Sequence, residues 1–479
     1  MTSRRLRAVL LAIVLLGIAL RLAQWAYESP LWHDESAVVR NVEAKTAAQL
    51  MGPLWESVAA PPAFLFTLRG IYIAFHDTSL FHNSDLLYRT PALVSGSLAL
   101  FLFALLSARL LSPAIAITVS ALFALSDRLI WHSVEVKPYG TDVLVACVFL
   151  WIFLAIQSPT RKILLLSAVA VISIWFSFPT LFLYAALMLL LLIENFRNPR
   201  AVMMGMIGGV LFAGSLAAVY FLDIRPQRND SIRENWISDY LPHNPLAWPS
   251  WLSAELYRLC DYSTKNMGGI FLALAILGGV ALWRREQTRR ILWLLVLPVL
   301  VALSAACAWL YPFGGSRATL FLVPCVFLLA GFGLQFLHNR FSRWGTCLSI
   351  GISIFLVIWM GALAGYHLVS PRMKTPAIRQ LAKFVHDHYQ PGEPVYVWAG
   401  RNGPDEFIDY WDHHVGHLGD PLFLLAPDHE HAQFWIVLID ATEFKETLKM
   451  PDLVDARAAA TQKFQFSTRG GQAYLFERK

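Results

Sequence analysis

The stretch Leu31-Trp32-His33-Asp34-Glu35-Ser36 contains two adjacent carboxylates. It follows the first long apolar segment by a few residues, where a membrane surface should meet water. An acid in that position can take a proton from a substrate or hold a metal ion. Asp34 is also suited to cap the next helix, because Asp is a favoured N-cap and acids stabilise a first turn. The stretch alone leaves both interpretations open.

The composition indicates a membrane protein with many spans. Only 15% of the 479 residues are charged and 56% are hydrophobic, against roughly 25% charged residues in soluble domains. The net charge of +6 comes from Lys and Arg in short clusters between apolar runs, as the positive-inside rule requires. We therefore expect no nucleic-acid partner. The five cysteines are scattered and show no spacing typical of a disulfide framework or a zinc site.

Positive clusters set the expected topology. Arg4, Arg5 and Arg7 precede the apolar run 6–27, which is long enough to cross the membrane and is expected to enter from the cytoplasm. The run 61–75 is short and carries Arg69, so we predict an interfacial or re-entrant helix there. All dense Lys/Arg clusters then fall on the cytoplasmic side. The eleven predicted spans are 6–27, 91–108, 113–131, 139–156, two within 163–193 that turn near Phe178-Pro179, 201–222, 267–283, 291–311, 318–337 and 344–368.

Two domains are predicted. Residues 1–369 would form an all-α transmembrane domain with external segments at 28–87, 132–138, 223–265 and 312–317. Residues 370–479 would form a small extracytoplasmic α/β domain, because their composition changes abruptly and strand and turn signals appear. In that domain we predict helices at 376–389 and 404–413, strands at 394–398 and 434–439, and a terminal hairpin at 464–477.

Three further polar motifs are expected on the same face as the acidic pair. Each contains a cation that is either an interfacial anchor or a phosphate ligand. The glycines of the last motif permit a close backbone approach. The convergence of these motifs favours a site over a set of anchors. The motifs are Tyr88-Arg89-Thr90-Pro91, the loop 131–139 with Glu135 and Lys137, and Tyr311-Pro312-Phe313-Gly314-Gly315-Ser316-Arg317.

The order and spacing of these motifs resemble the membrane-embedded glycosyltransferases that use polyprenyl-phosphate sugars, known as the GT-C class. The sequence is most similar to the protein O-mannosyltransferases and the bacterial aminoarabinose transferases of lipid A. The shared features are the acidic first external loop, Pro61-Pro62 in a juxtamembrane helix, Arg89-Thr90-Pro91 opening the second span, and Glu135-Val136-Lys137-Pro138-Tyr139 in the second acidic loop. The resemblance covers residues 6–368. Relatives often carry Arg where this chain has Lys137, and the second loop lacks a DxD pair.

The resemblance implies that Asp34 is the catalytic carboxylate and that Glu135 belongs to the second acidic motif. The chemistry of the transfer suggests the remaining roles, in which Glu135 or Glu35 assists Asp34 or binds a metal. The donor phosphate would be bound by Arg89, Lys137 and Arg317, and the accessory residues would be His33, His132 and Tyr139. A divalent metal, if one is used, would be held by Asp34 and Glu135.

The expected reaction is an inverting transfer of a hexosyl or pentosyl group to a lipid, glycan or protein acceptor. It would occur on the outer face of the bacterial inner membrane. The competing hypothesis, a transporter or flippase of a lipid-linked precursor, predicts ionisable residues near mid-bilayer. The inner halves of the predicted spans are nearly free of charge, and no internal repeat typical of secondary transporters is visible. The sequence therefore favours the enzyme.

Overall fold

The core of the helical unit surrounds one helix. The segment Arg317–Arg340 is apolar enough to cross a membrane, and 89% of its apolar window is buried inside the protein, against 22% for Arg4–Ala26, Pro199–Gln227 and Arg343–Val369. A helix that is hydrophobic all round is buried by its neighbours. Phe327 of this central helix packs edge-on against Phe123, with 5.7 Å between ring centroids, and Phe123 stacks on Phe103 at 4.0 Å. The site residue Arg317 therefore begins the best-buried helix.

The computed structural model describes residues 3–27, 31–55, 58–76, 78, 85–228, 233–234, 236–340, 342–369, 376–390, 392–399, 423–424, 433–439, 460–468 and 471–478. Up to residue 369 the helices are α1 (Ser3–Ala26), α2 (His33–Ala44), α3 (Ala47–Leu50), α4 (Pro62–Phe75), α5 (Leu86–Leu110), α6 (Pro113–Leu125), α7 (Asp127–His132), α8 (Tyr139–Ala155), α9 (Pro159–Ser173), α10 (Thr180–Asn195), α11 (Pro199–Val219), α12 (Trp248–Thr264), α13 (Gly268–Trp283), α14 (Glu286–Cys307), α15 (Val323–Arg340) and α16 (Ser342–Val369). Shorter turns lie at Tyr220–Ile224, Arg225–Gln227, Ile237–Asp239, Pro245–Ala247 and Arg317–Leu322.

The chain divides into two compact units. One contains residues 1–26, 41–70 and 88–369, and the other contains residues 27–40, 71–87 and 370–479.

The count of eleven spans is not confirmed. Among the described residues, six helices are long and apolar enough to cross a membrane, or seven if α12 and α13, bent by 110°, form one broken span. The apolar helices α6, α8 and α10 are shorter, with 13, 17 and 16 residues, whereas about 20 are needed to cross. The predicted span 113–131 is broken at Ser126, whose hydroxyl donates to the Ser263 carbonyl at 2.7 Å. Length and composition thus support fewer spans than the apolar runs suggested.

Other local predictions agree with the structure. The predicted turn near Phe178-Pro179 lies between α9 and α10. The predicted short helix at 61–75 is α4, which has 14 residues and is too short to cross on its own. Its first turn is fixed because the Ala63 N–H donates to the Trp175 carbonyl at 2.9 Å. Before it, the Gln227 side chain accepts from the Ala60 N–H at 3.1 Å.

The C-terminal segment forms a five-stranded sheet packed on one helix. The helix α17 (Pro376–His388) precedes strands β1 (Val395–Ala399), β2 (Phe423–Leu424), β3 (Gln433–Ile439), β4 (Ala460–Thr468) and β5 (Gly471–Arg478), in the order β2-β1-β3-β5-β4. β1 is parallel to β2 and β3, whereas β3 and β4 are antiparallel to β5. Leu381 and Val385 of α17 pack on Val397, Trp435 and Leu475. The predicted strands and hairpin are present, β2 was not foreseen, and the helix predicted at 404–413 lies outside the described residues.

Candidate active site

The loop between α7 and α8 buries three of the predicted site residues. His132, Glu135 and Lys137 are 4%, 2% and 5% exposed. The loop is tightly wound: the Ser133 N–H donates to the Leu129 carbonyl at 3.2 Å, and the Lys137 N–H donates to the Glu135 carbonyl at 2.7 Å. Ionisable side chains are rarely this buried without partners.

His132 joins Glu135 to Tyr262 in a chain of hydrogen bonds. The imidazole Nδ1 lies 2.5 Å from Glu135 Oε2, and Nε2 lies 2.8 Å from the Tyr262 hydroxyl. An ionised carboxylate only accepts hydrogen bonds, so Nδ1 carries a proton, and in the neutral ring Nε2 accepts from the tyrosine. Tyr262 comes from α12 and belongs to none of the motifs found in the sequence. The segment 223–265 was identified only as an external loop, and no residue pattern in it marked this tyrosine.

Cations and His132 together keep Glu135 ionised. Burial raises the pKa of the Glu135 carboxyl, but the charge and hydrogen bond of His132 and the charges of Arg317 and Lys137 outweigh it, so the net pKa is lowered. Geometry also links these groups, because the Tyr139 ring lies 5.9 Å from the Arg317 guanidinium and 5.2 Å from the His132 ring. The structure therefore brings together Glu135, Lys137, Arg317 and His132.

Aromatic rings surround the Arg317 guanidinium. It lies 5.9 Å from the ring centroid of Tyr139 and 5.7 Å from that of Trp236, distances at which cation–π attraction contributes. The Tyr139 ring also meets the His132 ring edge-on at 5.2 Å. Tyr139 thus connects the loop to the start of the central helix.

The glycines before Arg317 make room for a supporting ion cluster. Gly314 has φ +123°, and a Cβ there would lie 1.6 Å from Glu255 Oε2, so only glycine fits this position. Arg258 bridges Glu255 at 2.6 Å and Asp239 at 3.0 Å, and the Phe313 N–H donates to the Asp239 carbonyl at 3.1 Å. The close approach expected at these glycines is therefore made by α12, which holds the loop that presents Arg317.

Arg21 fixes the other side of the buried loop. It is 1% exposed, and its Nε donates to Ser133 Oγ at 3.2 Å. One terminal nitrogen donates to the carbonyls of Gly17 at 2.9 Å and Ala124 at 3.3 Å. A buried arginine needs such acceptors. Arg21 therefore links α1 to the end of α6 and to the loop between α7 and α8.

Arg89 lies on a helix face that packs beside the same loop. It is 4% exposed and one helical turn before Ala92, so the two residues share a face of α5. A Cβ built at Gly140, directly after Tyr139, would lie 3.0 Å from the Ala92 carbonyl oxygen. Because Gly140 has no Cβ, the start of α8 can approach α5 closely beside the turn that carries Arg89.

The two acids of the first motif occupy different environments. Both lie in the first turn of α2, and Glu35 is buried, with 2% exposure, whereas Asp34 is half-buried. Glu35 Oε2 accepts from the Trp32 N–H at 3.3 Å, the reach-back contact of a capping box. Glu35 thus caps the helix, and Asp34 is the more accessible of the two acids. His33 lies in the same turn, and its side chain is outside the described residues.

The residues around Glu135 do not suit a metal ion. Within the described part of the chain, no three His, Cys, Asp or Glu side chains are placed to hold one. Glu135 already accepts from His132, and the charges of Lys137 and Arg317 act on it. Two cations would repel a divalent ion by the same Coulomb interaction that attracts an anion. The positive charge around Glu135 therefore does not favour a divalent metal ion.

Solved structures share this fold. No protein-family model and no curated protein matches the sequence. ArnT from Cupriavidus metallidurans bound to undecaprenyl phosphate is similar over 99% of this chain and 98% of its own, with a TM-score of 0.53 and 11% identity. The apo state of that protein gives a TM-score of 0.50, 10% identity, and coverage of 96% and 97%. The archaeal oligosaccharyltransferase AglB from Archaeoglobus fulgidus, in complex with an inhibitory peptide and a dolichol-phosphate, gives 0.49, 11% identity, and coverage of 98% and 74%. The chain therefore shares the fold of ArnT, a glycosyltransferase of the GT-C class that the motifs of this sequence resemble.

Proposed function

We propose that this protein is an inverting glycosyltransferase. It transfers a hexosyl or pentosyl group from a polyprenyl-phosphate donor to a lipid, glycan or protein acceptor on the outer face of the bacterial inner membrane. The observation that carries the proposal is that the buried stretch with Glu135 and Lys137 ends at Tyr139, whose ring centroid lies 5.9 Å from the Arg317 guanidinium. These cations lie in a protein with the GT-C fold.

The cations act on the donor phosphate. As the bond from the sugar to the phosphate oxygen breaks, negative charge grows on that oxygen. Cations held in place beforehand stabilise this charge with little reorganisation. Lys137 and Arg317 supply them, and Arg89 adds a third from the adjoining face of α5. A phosphate monoester has a second pKa of about 6 and leaves as a stable anion, so the reaction needs no general acid.

Glu135 and His132 keep those cations in position. The ionised carboxylate attracts Lys137 and Arg317, while its hydrogen bond to His132 and the further bond to Tyr262 fix the loop against α12. In this mechanism Glu135 positions the phosphate ligands and carries no proton. This is a narrower role than the direct assistance that the chemistry of the transfer suggested.

Asp34 receives the proton of the acceptor hydroxyl. The oxygen attacks the anomeric carbon from the side opposite the phosphate, so a single displacement inverts that centre. General-base help of this kind contributes about 10²- to 10⁴-fold to the rate. Asp34 is half-buried, whereas Glu35 is only 2% exposed. Asp34 is therefore the better candidate for the base.

The transporter hypothesis is not favoured. The fold is shared with glycosyltransferases, and Arg21, one of several buried ionisable residues, bonds to backbone carbonyls and Ser133. That arrangement explains its burial without a translocation pathway.

The function is tested by mass spectrometry of lipid and glycan fractions from a deletion strain. We expect one sugar-bearing species to be missing and to return with the wild-type gene. A transporter deletion would also lose the product, so purified protein in vesicles is then given the polyprenyl-phosphate sugar and the acceptor fraction. Release of polyprenyl phosphate together with a glycosylated acceptor supports the enzyme. Movement of intact donor between the leaflets without its cleavage would refute it.

A further inference from the structure

A second group of cations lies at the opposite end of α8 from the Glu135 loop. Phe153, in the last turn of α8, has the ammonium of Lys162 at 4.5 Å and the guanidinium of Arg290 at 4.9 Å from its ring centroid. Beside it, Arg109 donates to the Leu154 carbonyl at 2.9 Å. Three cations from α5, α9 and α14 therefore meet around one helix end.

Two of these cations have partners. Arg290 Nε lies 2.8 Å from Glu194 Oε1, and Arg109 satisfies a carbonyl at the helix C-terminus, where positive charge is favoured. Glu194 is the one carboxylate in contact with the group among the residues that the structure describes. It is already engaged with Arg290.

Among the described residues, none accepts a hydrogen bond from the Lys162 ammonium. Lys162 is 2% exposed, and within the described ranges its ammonium contacts the Phe153 ring and no hydrogen-bond acceptor. It sits in the first turn of α9 (Pro159–Ser173), where the helix dipole disfavours a cation. Burial is the largest of the effects that lower the pKa of the Lys162 ammonium to about 8. The positive charge of Arg290 also lowers this pKa, whereas the negative charge of Glu194 raises it. Within the described part of the chain, no carboxylate is hydrogen-bonded to this buried lysine.

We propose that Lys162 and Arg290 form a binding site for the phosphate group of an anionic phospholipid. A phosphate oxygen beside Lys162 would supply the missing acceptor, and Arg290 has further donors besides the Nε that faces Glu194. The surrounding surface favours a lipid over a soluble anion, because Leu164, Leu165 and Ile193 are 57%, 42% and 61% exposed next to the group. Exposed apolar side chains at a membrane helix end suit acyl chains, and basic pockets between membrane helices bind anionic headgroups. This site is separate from the proposed donor site and independent of the proposed reaction.

The test compares Lys162→Met with Arg161→Gln in the full-length purified protein. Arg161 is the neighbouring exposed cation on the same helix and controls for general surface attraction. Thermal unfolding is followed in neutral detergent during titration with short-chain phosphatidylglycerol, with short-chain phosphatidylcholine as the uncharged-headgroup control and inorganic phosphate as a separate arm. We expect a saturable rise in Tm with phosphatidylglycerol for the wild type and for Arg161→Gln. Lys162→Met should weaken the apparent affinity at least about tenfold, which corresponds to 1.4 kcal/mol.

The Tm of Lys162→Met in the absence of lipid can also be predicted. Removing a buried cation without an acceptor should leave Tm in neutral detergent unchanged or raised, which separates loss of binding from loss of folding. Equal losses of the lipid response in Lys162→Met and Arg161→Gln, or no response in the wild type, would overturn the proposal. Inorganic phosphate could raise Tm in a manner that depends on Lys162 while phosphatidylglycerol does not. That result would show that the site binds a free phosphate and would refute the lipid. If Lys162→Met unfolds, Lys162→Gln is titrated in the same way, and an unchanged affinity for phosphatidylglycerol in that variant would refute the proposal.

Discussion

The Nδ1 atom of His132 lies 2.5 Å from Oε2 of Glu135, and both side chains are buried. The two residues are three positions apart on a tightly wound loop, so the contact is local. The residues around this pair are distant in sequence, because Tyr262 bonds to His132 and the charge of Arg317 acts on Glu135. The pair thus connects the loop to α12 and to the central helix.

Glu135 should make the protein sensitive to acid. Its pKa in the folded state is lowered, so the ionised form stabilises the fold fully above the ordinary value of 4.5. That stabilisation is lost as the pH falls from there through the folded pKa. We expect the wild-type Tm to fall more steeply with acidification below that value than the Tm of Glu135→Gln, which should be lower at neutral pH. Parallel Tm curves for the two proteins would show that Glu135 is not held ionised by its neighbours.

Donor affinity should depend on Lys137 and Arg317. Removing a cation that pairs with a buried phosphate costs about 2 to 5 kcal/mol, whereas an exposed anchor contributes at most about 1 kcal/mol. We expect losses in the larger range for Lys137→Ala, Arg317→Ala and Arg89→Ala in binding of a polyprenyl-phosphate sugar. Arg200→Ala, an exposed cation at the start of α11, is the control. An unchanged dissociation constant in the three site variants would mean that these cations are anchors.

Gly314 should resist substitution. A Cβ would overlap the Glu255 carboxylate, and the positive φ adds about 1 to 2 kcal/mol of strain. Gly314→Ala should therefore lower Tm and weaken donor binding by displacing Arg317. Gly351→Ala in α16 is the matched control, because a Cβ there meets nothing within 4 Å, and alanine favours a helix by about 1 kcal/mol. Similar Tm values for the two variants would argue against the close fit of the loop on α12.

Arg21 and Ser133 should be energetically coupled. A double-mutant cycle of Arg21→Lys and Ser133→Ala, measured by unfolding, should give an interaction energy of about 0.5 to 3 kcal/mol. Lysine keeps the charge but cannot reproduce the guanidinium contacts to Ser133 and the two carbonyls. Additive effects would indicate that the contact at 3.2 Å contributes nothing of its own to stability.

The sequence revealed the site residues that lie in short motifs and missed those that depend on tertiary contacts. Glu135 and Lys137 stood out because they are ionisable residues crowded between apolar runs. Tyr262 could not be recognised, because its hydrogen bond joins it to His132, 130 positions earlier in the chain.

One break in the fold was missed although the sequence marks it. The polar triplet Ser126-Asp127-Arg128 interrupts the apolar run 113–131. The Ser126 hydroxyl accepts from the Leu129 N–H at 3.5 Å and so caps α7, and it also donates to the distant Ser263 carbonyl. The turn near Phe178-Pro179 could be predicted because a proline-bearing turn separates two apolar runs that lie between positive clusters.

The most direct test of the proposed reaction is the turnover of a polyprenyl-phosphate sugar by Asp34→Asn, with Glu35→Gln beside it. Asp34 lies in the first turn of α2, where the loss of its negative charge costs about 0.3 to 1 kcal/mol, so the first variant should fold and bind donor. It lacks the proton affinity of a carboxylate, and we expect release of polyprenyl phosphate to fall about 10²- to 10⁴-fold. Glu35→Gln can still accept from the Trp32 N–H and should retain most of its turnover. An Asp34→Asn protein that keeps more than about a tenth of the wild-type rate would contradict general-base catalysis by Asp34.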